Sequence, residues 1–270
     1  MLYQLSYARI EEGLYLFSPV LQTKRIKICA GELVTRNADL ETLPGKALVL
    51  IGMRRVGKTY LCYQKIKERL NKGTPLENIL HLNFEDHRLF DFQLPHFQLL
   101  LDIFYADRPE KKRETCFFFF DEIQNVPDWE HFIRRLLDTE NVSVTLTGSS
   151  AKMLSSELAT SLRGRSLPRE VFPYSLQEYF RIHAPDLRWS RPGSLARRQL
   201  RKQAGDYLRY GGFPEVQGLS PHLRREVIQS YVDAVVLRDV LERHNVSNVE
   251  APPCPAAPHP LRPDDTTEHP

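Results

Sequence analysis

The residues with the clearest chemical potential lie at 51–60, which read IGMRRVGKTY. A glycine, four variable residues and then Gly-Lys-Thr are typical of a phosphate-binding loop (P-loop), whose glycines bring successive backbone N–H groups toward a phosphate. Lys58 would reach the β- and γ-phosphates of a nucleotide, and the Thr59 hydroxyl would bind Mg²⁺. The predicted nucleotide-binding residues are Gly52, Val56, Gly57, Lys58, Thr59 and Tyr60. The alternative is an ordinary strand-turn-helix with a surface lysine.

Two adjacent carboxylates follow a run of four phenylalanines in CFFFFDE, residues 116–122. At the carboxyl end of a strand, one carboxylate can hold Mg²⁺ and its neighbour can orient or deprotonate an attacking water. We assign Asp121 to the metal and Glu122 to the water. A solvated acidic turn is the alternative, but the P-loop earlier in the chain favours a single site for Mg·ATP.

Hydroxyl side chains end another apolar run, VSVTLTGSS at 142–150. In a parallel sheet this end lies at the same edge as the P-loop, where a polar side chain can contact the γ-phosphate or the attacking water. Thr147 or Ser149 is the candidate for this catalytic contact. A second role, which does not exclude the first, is that Ser149 or Ser150 caps a helix over 151–162.

Two arginines follow in SLRGRS, residues 161–166. Arg163 or Arg165 could stabilise charge on a γ-phosphate in its own or in a neighbouring subunit. The alternative is a helix that stops at Gly164 with two solvated arginines beside it. The candidate catalytic residues are therefore Lys58, Glu122, Thr147, Ser149, Arg163 and Arg165.

The elements that must position these groups are an alternating series of strands and helices. Short apolar runs predict strands at 46–51, 78–84, 116–122, 142–150 and 166–172, and helical patterns lie at 58–72, 96–105 and 129–137. An alternating order of this kind predicts an α/β fold with a parallel sheet. The carboxyl ends of such strands share one edge, where the candidate groups would meet.

Composition places the chain among soluble globular proteins. Apolar residues make up 41% of the chain and charged residues 26%. The formal net charge of +3 indicates a weak preference for anionic partners, and binding of ATP alone could explain that preference. Four scattered cysteines without a CxxC pair predict a reducing compartment, not a zinc site. No leader pattern and no apolar run of membrane-spanning length is present, so we expect a cytoplasmic protein without membrane contact.

The ordered motifs GMRRVGKT, FFFFDEIQ, TLTGSS, SLRGRS and FPYSLQEY resemble the bacterial and archaeal AAA+ P-loop ATPases that carry a C-terminal domain of unknown function. The resemblance covers residues 43–248 and includes YLRYGGFPEV and YVDAVVLRDVLERHNVSN, which resemble that family's lid. It implies a P-loop NTPase fold with a parallel sheet of about five strands between helices, the P-loop strand central, followed by a small helical lid. It also implies ATP and Mg²⁺ as cofactors and a nucleic-acid or defence-related task.

The resemblance gives a predicted domain organisation. Residues 1–40 form an N-terminal segment without an identifiable motif, 41–180 the AAA+ core, 181–248 the helical lid and 249–270 a tail. Seven of the nineteen prolines lie in the last twenty residues, a composition that predicts disorder. We hypothesise that a frameshift or truncation replaced the natural continuation, and a native proline-rich tail is the alternative.

Three functions fit these patterns. The first is an AAA+ switch or motor that hydrolyses ATP and was coupled to a C-terminal effector domain, with homo-oligomers possible. The second is a P-loop kinase, which the adjacent Asp-Glu pair disfavours because it suits water attack. The third is a nucleotide- or nucleic-acid-binding protein without turnover. Basic residues that could contact phosphate backbones, or simply form a solvated face, are Arg191, Arg197, Arg198, Arg201, Lys202, Arg224 and Arg225.

Arg54 and Arg55 occupy variable positions of the loop. Because the backbone of such a loop wraps the phosphates, we expect these two side chains to point outward, toward acidic neighbours, a partner or nucleic acid. We do not count them as catalytic.

Overall fold

A parallel sheet forms the centre of the protein. The computed structural model describes residues 33–106, 109–149, 161–185 and 193–235. Five strands pair in parallel in the order β2-β3-β4-β1-β5, and this confirms the predicted α/β fold. The strands are β1 (Ala47–Ile51), β2 (Ile79–Asn83), β3 (Cys116–Asp121), β4 (Val142–Gly148) and β5 (Ser166–Glu170). The P-loop strand β1 lies inside the sheet between β4 and β5, whereas β4 occupies the middle position.

Helices connect the strands and continue beyond the sheet. They are α1 (Lys58–Asn71), α2 (His96–Ala106), α3 (Trp129–Thr139), α4 (Leu176–His183), α5 (Ser194–Tyr210) and α6 (Pro221–Val235). The first of them begins directly after the P-loop and ends shortly before Gly73, whose φ of 86° is the left-handed conformation that commonly stops helices. The predicted helices over 58–72 and 96–105 are therefore present with bounds shifted by one residue.

Both faces of the sheet are covered, and this explains why the strands read as continuous apolar runs. Alternate residues of a strand point to opposite faces, so that Phe118 and Phe120 join one core and Phe117 and Phe119 the other. The first core contains side chains of α2 and α3, and the second contains side chains of α1 together with Leu40. The fold thus has three layers, and its middle layer carries the candidate site at one edge.

The segment after the sheet starts with a well-capped helix. The Ser175 hydroxyl accepts a hydrogen bond from the Glu178 N–H, and the Glu178 carboxylate accepts one from the Ser175 N–H, which together form a capping box at the start of α4. α5 packs against α4, where the Gln203 amide donates to the His183 carbonyl at 3.0 Å. No residue of α5 is fully buried. Two of these helices, α5 and α6, lie within the predicted lid of residues 181–248, whereas α4 begins inside the predicted core.

The chain divides into two compact units, residues 1–229 and 230–270. Only residues 230–235, the end of α6, are described in the second unit. Several predicted segments lie outside the described residues: the N-terminal segment up to residue 32, Ser150, residues 151–160 of the helix predicted over 151–162, residues 186–192 with Arg191 and 236–248 of the predicted lid, and the proline-rich tail. Within the described ranges, no helix is both long and apolar enough to cross a membrane.

Candidate active site

Gly52 begins the P-loop at a point where the backbone of the neighbouring chain segment passes very close. The Val171 N–H donates to the Ile51 carbonyl at 2.6 Å, and a Cβ atom added to Gly52 would lie only 2.3 Å from the Val171 carbonyl oxygen. No side chain fits at that distance. The first glycine of the motif is therefore required by the packing of β1 against the exit of β5.

The rest of the loop turns through two residues in the left-handed region. Arg55 has a φ of 65° and Gly57 a φ of 98°, while Val56 between them is fully buried. Gly57 directly precedes the first residue of α1. The free N–H groups of the first helical turn, with the positive end of the helix dipole, consequently point toward the loop, an arrangement that binds anions.

The Lys58 side chain is folded back over the loop and is only 3% exposed. Its Nζ donates to the carbonyls of Gly52 at 3.1 Å and Met53 at 3.0 Å, and it lies 3.6 Å from Glu122 Oε1. Burial lowers the pKa of Lys58, and the nearby charges of Glu122 and Asp121 oppose that shift. The loop thus holds the Lys58 ammonium group against its own backbone carbonyls and close to the Glu122 carboxylate.

Asp121 is fully buried at the end of β3 and accepts hydrogen bonds from two threonines. Thr59 donates its hydroxyl to Asp121 Oδ2 at 2.7 Å, and the Thr147 hydroxyl donates to Oδ1. Burial raises the pKa of Asp121, although both hydroxyls act in the opposite direction. The start of α1, the end of β3 and the end of β4 therefore meet at this carboxylate.

Glu122 follows in the left-handed conformation, with a φ of 53°. Its N–H donates to the Thr147 hydroxyl oxygen at 2.9 Å, and its Oε2 accepts from Ser149 Oγ at 2.8 Å and from the Gln124 amide at 2.6 Å. The sequence left open whether Thr147 or Ser149 belongs to the site. The structure brings both into it, Thr147 beside Asp121 and Ser149 at the Glu122 carboxylate.

Strand register explains this convergence. Leu50 of β1 is paired with Thr147 of β4, and Phe120 of β3 is paired with Leu146 of β4. The three strands therefore end at nearly the same level, and the residues that follow them lie side by side.

Arg163 and Arg165 are not brought to this edge in the same chain. The Arg165 carbonyl accepts from the N–H of Ala47, the first residue of β1, and its guanidinium pairs with Asp138 near the end of α3. About 13 Å of strand separates that end of β1 from the P-loop. Arg163, two residues earlier, has a φ of 48° and an exposed side chain. Action of either arginine on a γ-phosphate of its own chain is therefore not supported.

Tyr60 is 62% exposed, and its ring meets Tyr63 edge-on with the centroids 6.1 Å apart. Only its position at the first turn of α1 links it to the loop. Its predicted nucleotide contact stays a prediction, as do the other assigned site roles.

The oxygen donors around Asp121 suit Mg²⁺. Mg²⁺ is usually held by one or two carboxylates together with substrate phosphates and water, not by a complete protein cage. Asp121 and Thr59 lie 2.7 Å apart at the mouth of the P-loop and provide such a partial set. The described part of the chain contains no cluster of three or more His, Cys, Asp or Glu that could hold a metal by itself.

Two further residues at the site were missed by sequence reasoning. Gln124, whose amide contacts Glu122, lies inside the FFFFDEIQ motif, so its proximity in sequence was a usable signal. Arg36 contacts the P-loop carbonyl of Val56 at 2.9 Å, and no motif marked it in the N-terminal segment.

The two arginines of the loop do point outward. Arg54 lies 3.4 Å from Glu85, and Arg55 makes two hydrogen bonds to Glu215, at 2.9 and 2.8 Å. Both arginine side chains are more than half exposed. Pairs of this exposure contribute little to stability, so the fold does not depend on these two arginines.

Sequence comparison agrees with this geometry. A family model described as an AAA domain matches residues 44–180, just over half of the chain. The chain belongs to this AAA domain family and has a nucleotide-binding, ATPase-like P-loop fold.

Two uncharacterized relatives match this chain over less than half of their own length. An uncharacterized protein of Methanocaldococcus jannaschii is 34% identical over 81% of this chain and 47% of its own length. An uncharacterized protein of Haemophilus influenzae is 32% identical over 74% of this chain and 47% of its own. The chain thus spans about half the length of the curated relatives it matches.

Solved structures with a similar arrangement include AMPPCP-bound DnaA from Aquifex aeolicus. It is 14% identical, with a TM-score of 0.35, over 84% of this chain and 70% of that one. Cdc6p from Pyrobaculum aerophilum is 18% identical, with a TM-score of 0.35, over 62% of this chain and 48% of that one.

Proposed function

We propose that this protein binds ATP with Mg²⁺ and hydrolyses it as an AAA+-type switch or motor. The observation that carries the proposal is the hydrogen bond of 2.7 Å between Thr59, at the start of the P-loop helix, and Asp121, at the end of β3. A phosphate-binding loop and a buried carboxylate are thereby held at the spacing that a shared metal requires.

The residues take distinct roles in this proposal. Backbone N–H groups of the loop bind the β-phosphate, and Lys58 moves from the Gly52 and Met53 carbonyls to the β- and γ-phosphates. Thr59 and Asp121 hold Mg²⁺, which when bound neutralises charge on the phosphates. Glu122 accepts a proton from the attacking water, and Ser149, already 2.8 Å from that carboxylate, orients it. Water attack releases ADP and inorganic phosphate.

Two substitutions separate binding from hydrolysis. Lys58→Ala should abolish ATP binding in calorimetry, because the phosphates lose their cation. Glu122→Gln should bind ATP like the wild type and release no phosphate, since the amide cannot take a proton. Normal phosphate release by Glu122→Gln would show that another group activates the water. Binding without release by the wild type would instead favour the second candidate, a nucleotide-binding protein without turnover.

We further propose that Arg163 or Arg165 acts on the nucleotide of a neighbouring copy. Both lie at the edge of the sheet opposite the P-loop, a placement that supports action between subunits of a homo-oligomer. Mixing Lys58→Ala with Arg163→Ala tests this, because each variant supplies the part that the other lacks. Recovered activity in the mixture is expected. Two inactive variants that stay inactive when mixed would contradict the proposal, and Arg165→Ala is examined in the same way.

Nucleic acid is a candidate partner of this protein. A C-terminal effector domain is a candidate for the part that ATP hydrolysis would drive. The chain spans about half the length of its relatives, and the part of those relatives that it does not span is the candidate for this effector. Exposed basic residues on α5 support the first idea: Arg197, Arg198, Arg201 and Lys202. Arg224 does not, because it donates to the Leu219 carbonyl at 2.9 Å and lies over the Tyr210 ring. Phosphate release should rise on addition of DNA at low salt, and the rise should disappear as salt increases.

A further inference from the structure

Arg36 reaches the P-loop from a segment that precedes the sheet. Its Nη1 donates to the Val56 carbonyl at 2.9 Å, and its Nη2 donates to the carbonyls of Phe172 at 2.8 Å and Pro173 at 3.4 Å. The guanidinium carbon also lies 4.8 Å from the centre of the Tyr174 ring. One side chain, only 9% exposed, thus connects the P-loop with the chain that leaves β5.

Glu178 fixes this guanidinium. Its Oε1 accepts from Arg36 Nε at 2.8 Å and from the Asn37 N–H at 2.7 Å, while its Oε2 accepts from the Ser175 N–H at the start of α4. The Glu178 side chain is 4% exposed. Because Glu178 neutralises the positive charge of the Arg36 guanidinium, this group is not available to bind an anion. It is a rigid fork held in one orientation.

The contact with Val56 determines where the next N–H points. In a planar trans peptide, the carbonyl of one residue and the N–H of the following residue point in opposite directions. A Val56 carbonyl that accepts from Arg36 therefore directs the Gly57 N–H away from the Arg36 side chain. That N–H directly precedes Lys58, and in the proposed function it is one of the loop N–H groups that bind the phosphates.

We infer that Arg36 is a positioning residue that presets the P-loop for phosphate through the Val56–Gly57 peptide. The inference rests on the proposed function, since it concerns binding of ATP at this loop. It assigns a role in the nucleotide site to the 33–40 segment, which lies outside the matched AAA domain. Of the α4 side chains, Glu178 takes part by holding the Arg36 guanidinium, whereas Arg181 contacts other atoms of the segment and not Arg36.

Arg181 provides a matched control. Its guanidinium donates to the Thr35 carbonyl and to Asn37 Oδ1, both at 3.2 Å. Arg181→Ala removes contacts between the same segment and the same helix without touching the loop. Arg36→Lys keeps the positive charge but lacks the planar fork that reaches Val56, Phe172 and Glu178 together.

The test measures binding of ATP and of inorganic tripolyphosphate to the full chain by calorimetry, at a temperature where every variant is folded. We expect Arg36→Lys and Arg36→Ala to raise the Kd for both ligands by about tenfold or more, and Arg181→Ala to change it by less than about twofold. Deuterium exchange of the nucleotide-free loop peptide should speed up in the Arg36 variants only. A folded Arg36→Lys protein with wild-type affinity and exchange would overturn the inference.

Other outcomes also decide the question. If only ATP binding weakens while tripolyphosphate binding does not, Arg36 acts on the nucleoside and the inference is wrong. If Arg181→Ala weakens ATP binding as much as Arg36→Ala does, the loss comes from weaker docking of the 33–40 segment as a whole. That outcome would contradict a specific role of Arg36. If the wild type binds neither ligand, the proposed function itself fails, and this inference fails with it. Should Arg36→Ala not fold, Arg36→Lys carries the comparison.

Discussion

Thr147 donates its hydroxyl hydrogen to the buried carboxylate of Asp121 and at the same time accepts a hydrogen bond of 2.9 Å from the Glu122 N–H. One hydroxyl on β4 therefore fixes both the carboxylate assigned to the metal and the backbone of the residue assigned to the water. Thr147 itself is fully buried, so no solvent replaces its contacts.

Thr147→Val tests this link. The isosteric valine leaves a buried acceptor and a buried N–H without their partner, so the free energy of unfolding should fall by about 1 to 3 kcal/mol in urea titrations. Thr147→Ser keeps the hydroxyl and loses one methyl group, which costs about 1 kcal/mol. The informative comparison is phosphate release, which the serine variant should retain and the valine variant should lose. Equal activity in the two variants would mean that the hydroxyl is dispensable.

Thr59→Val tests the proposed metal ligand. We expect the Kd for ATP to rise by about tenfold in the presence of Mg²⁺, because one oxygen ligand is lost. In EDTA the variant and the wild type should bind ATP alike, since no metal then contacts the hydroxyl. Thr59→Ser is the matched control and should behave as wild type in both buffers. A loss of affinity that persists in EDTA would assign Thr59 a role other than metal binding.

Gly52→Ala tests the close approach of two backbones. The added Cβ would lie 2.3 Å from the Val171 carbonyl oxygen, so β1 and the exit of β5 must move apart. We expect the free energy of unfolding to fall by at least about 2 kcal/mol and nucleotide binding to be lost. Gly205→Ala is the control, since among the described residues no atom outside its own helix lies within 4 Å of the added Cβ. Alanine favours a helix interior, so that variant should gain about 0.5 to 1 kcal/mol.

Glu178 predicts a pH dependence of stability. Burial raises its pKa, but hydrogen bonds from Arg36 and from the N–H groups of Ser175 and Asn37 outweigh burial and leave the pKa below its ordinary value. A carboxyl with a lowered pKa in the folded state stabilises the protein fully above its unfolded pKa of about 4.3 and loses that effect as the pH falls through the folded value. The wild type should therefore be more stable than Glu178→Gln near neutral pH, and the difference should shrink in acid. Urea titrations of both proteins from pH 3 to 7 measure this difference in the free energy of unfolding. A difference that grows in acid would contradict a lowered pKa of Glu178.

Much of the candidate site could be predicted from the sequence because its key residues are marked locally. The spacing from Gly52 to Thr59 reflects a turn that only certain backbones can make, and the apolar run before Asp121 marks a buried strand that ends in a carboxylate. The parallel sheet follows from alternating strands and helices, and parallel strands end at one edge. The loop and both carboxylates of the candidate site could thus be named from the sequence, and their roles stay predictions.

Contacts between distant parts of the chain were decided by the tertiary structure alone. Arg36 and Glu178 are 142 positions apart, and they meet because β5 lies next to β1 and returns the chain to the loop. Because β5 runs parallel to β1, Arg165, which directly precedes β5, lies at the opposite edge from the P-loop. The sequence had allowed Arg165 to act in its own chain. Register between β1, β3 and β4 brought Thr147 and Ser149 into one site, where the sequence left a choice. The sequence alone determined which groups could do chemistry, because residue type and spacing are local properties of the chain. The tertiary structure decided which of these groups meet, because strand order and register bring together residues that are distant in sequence.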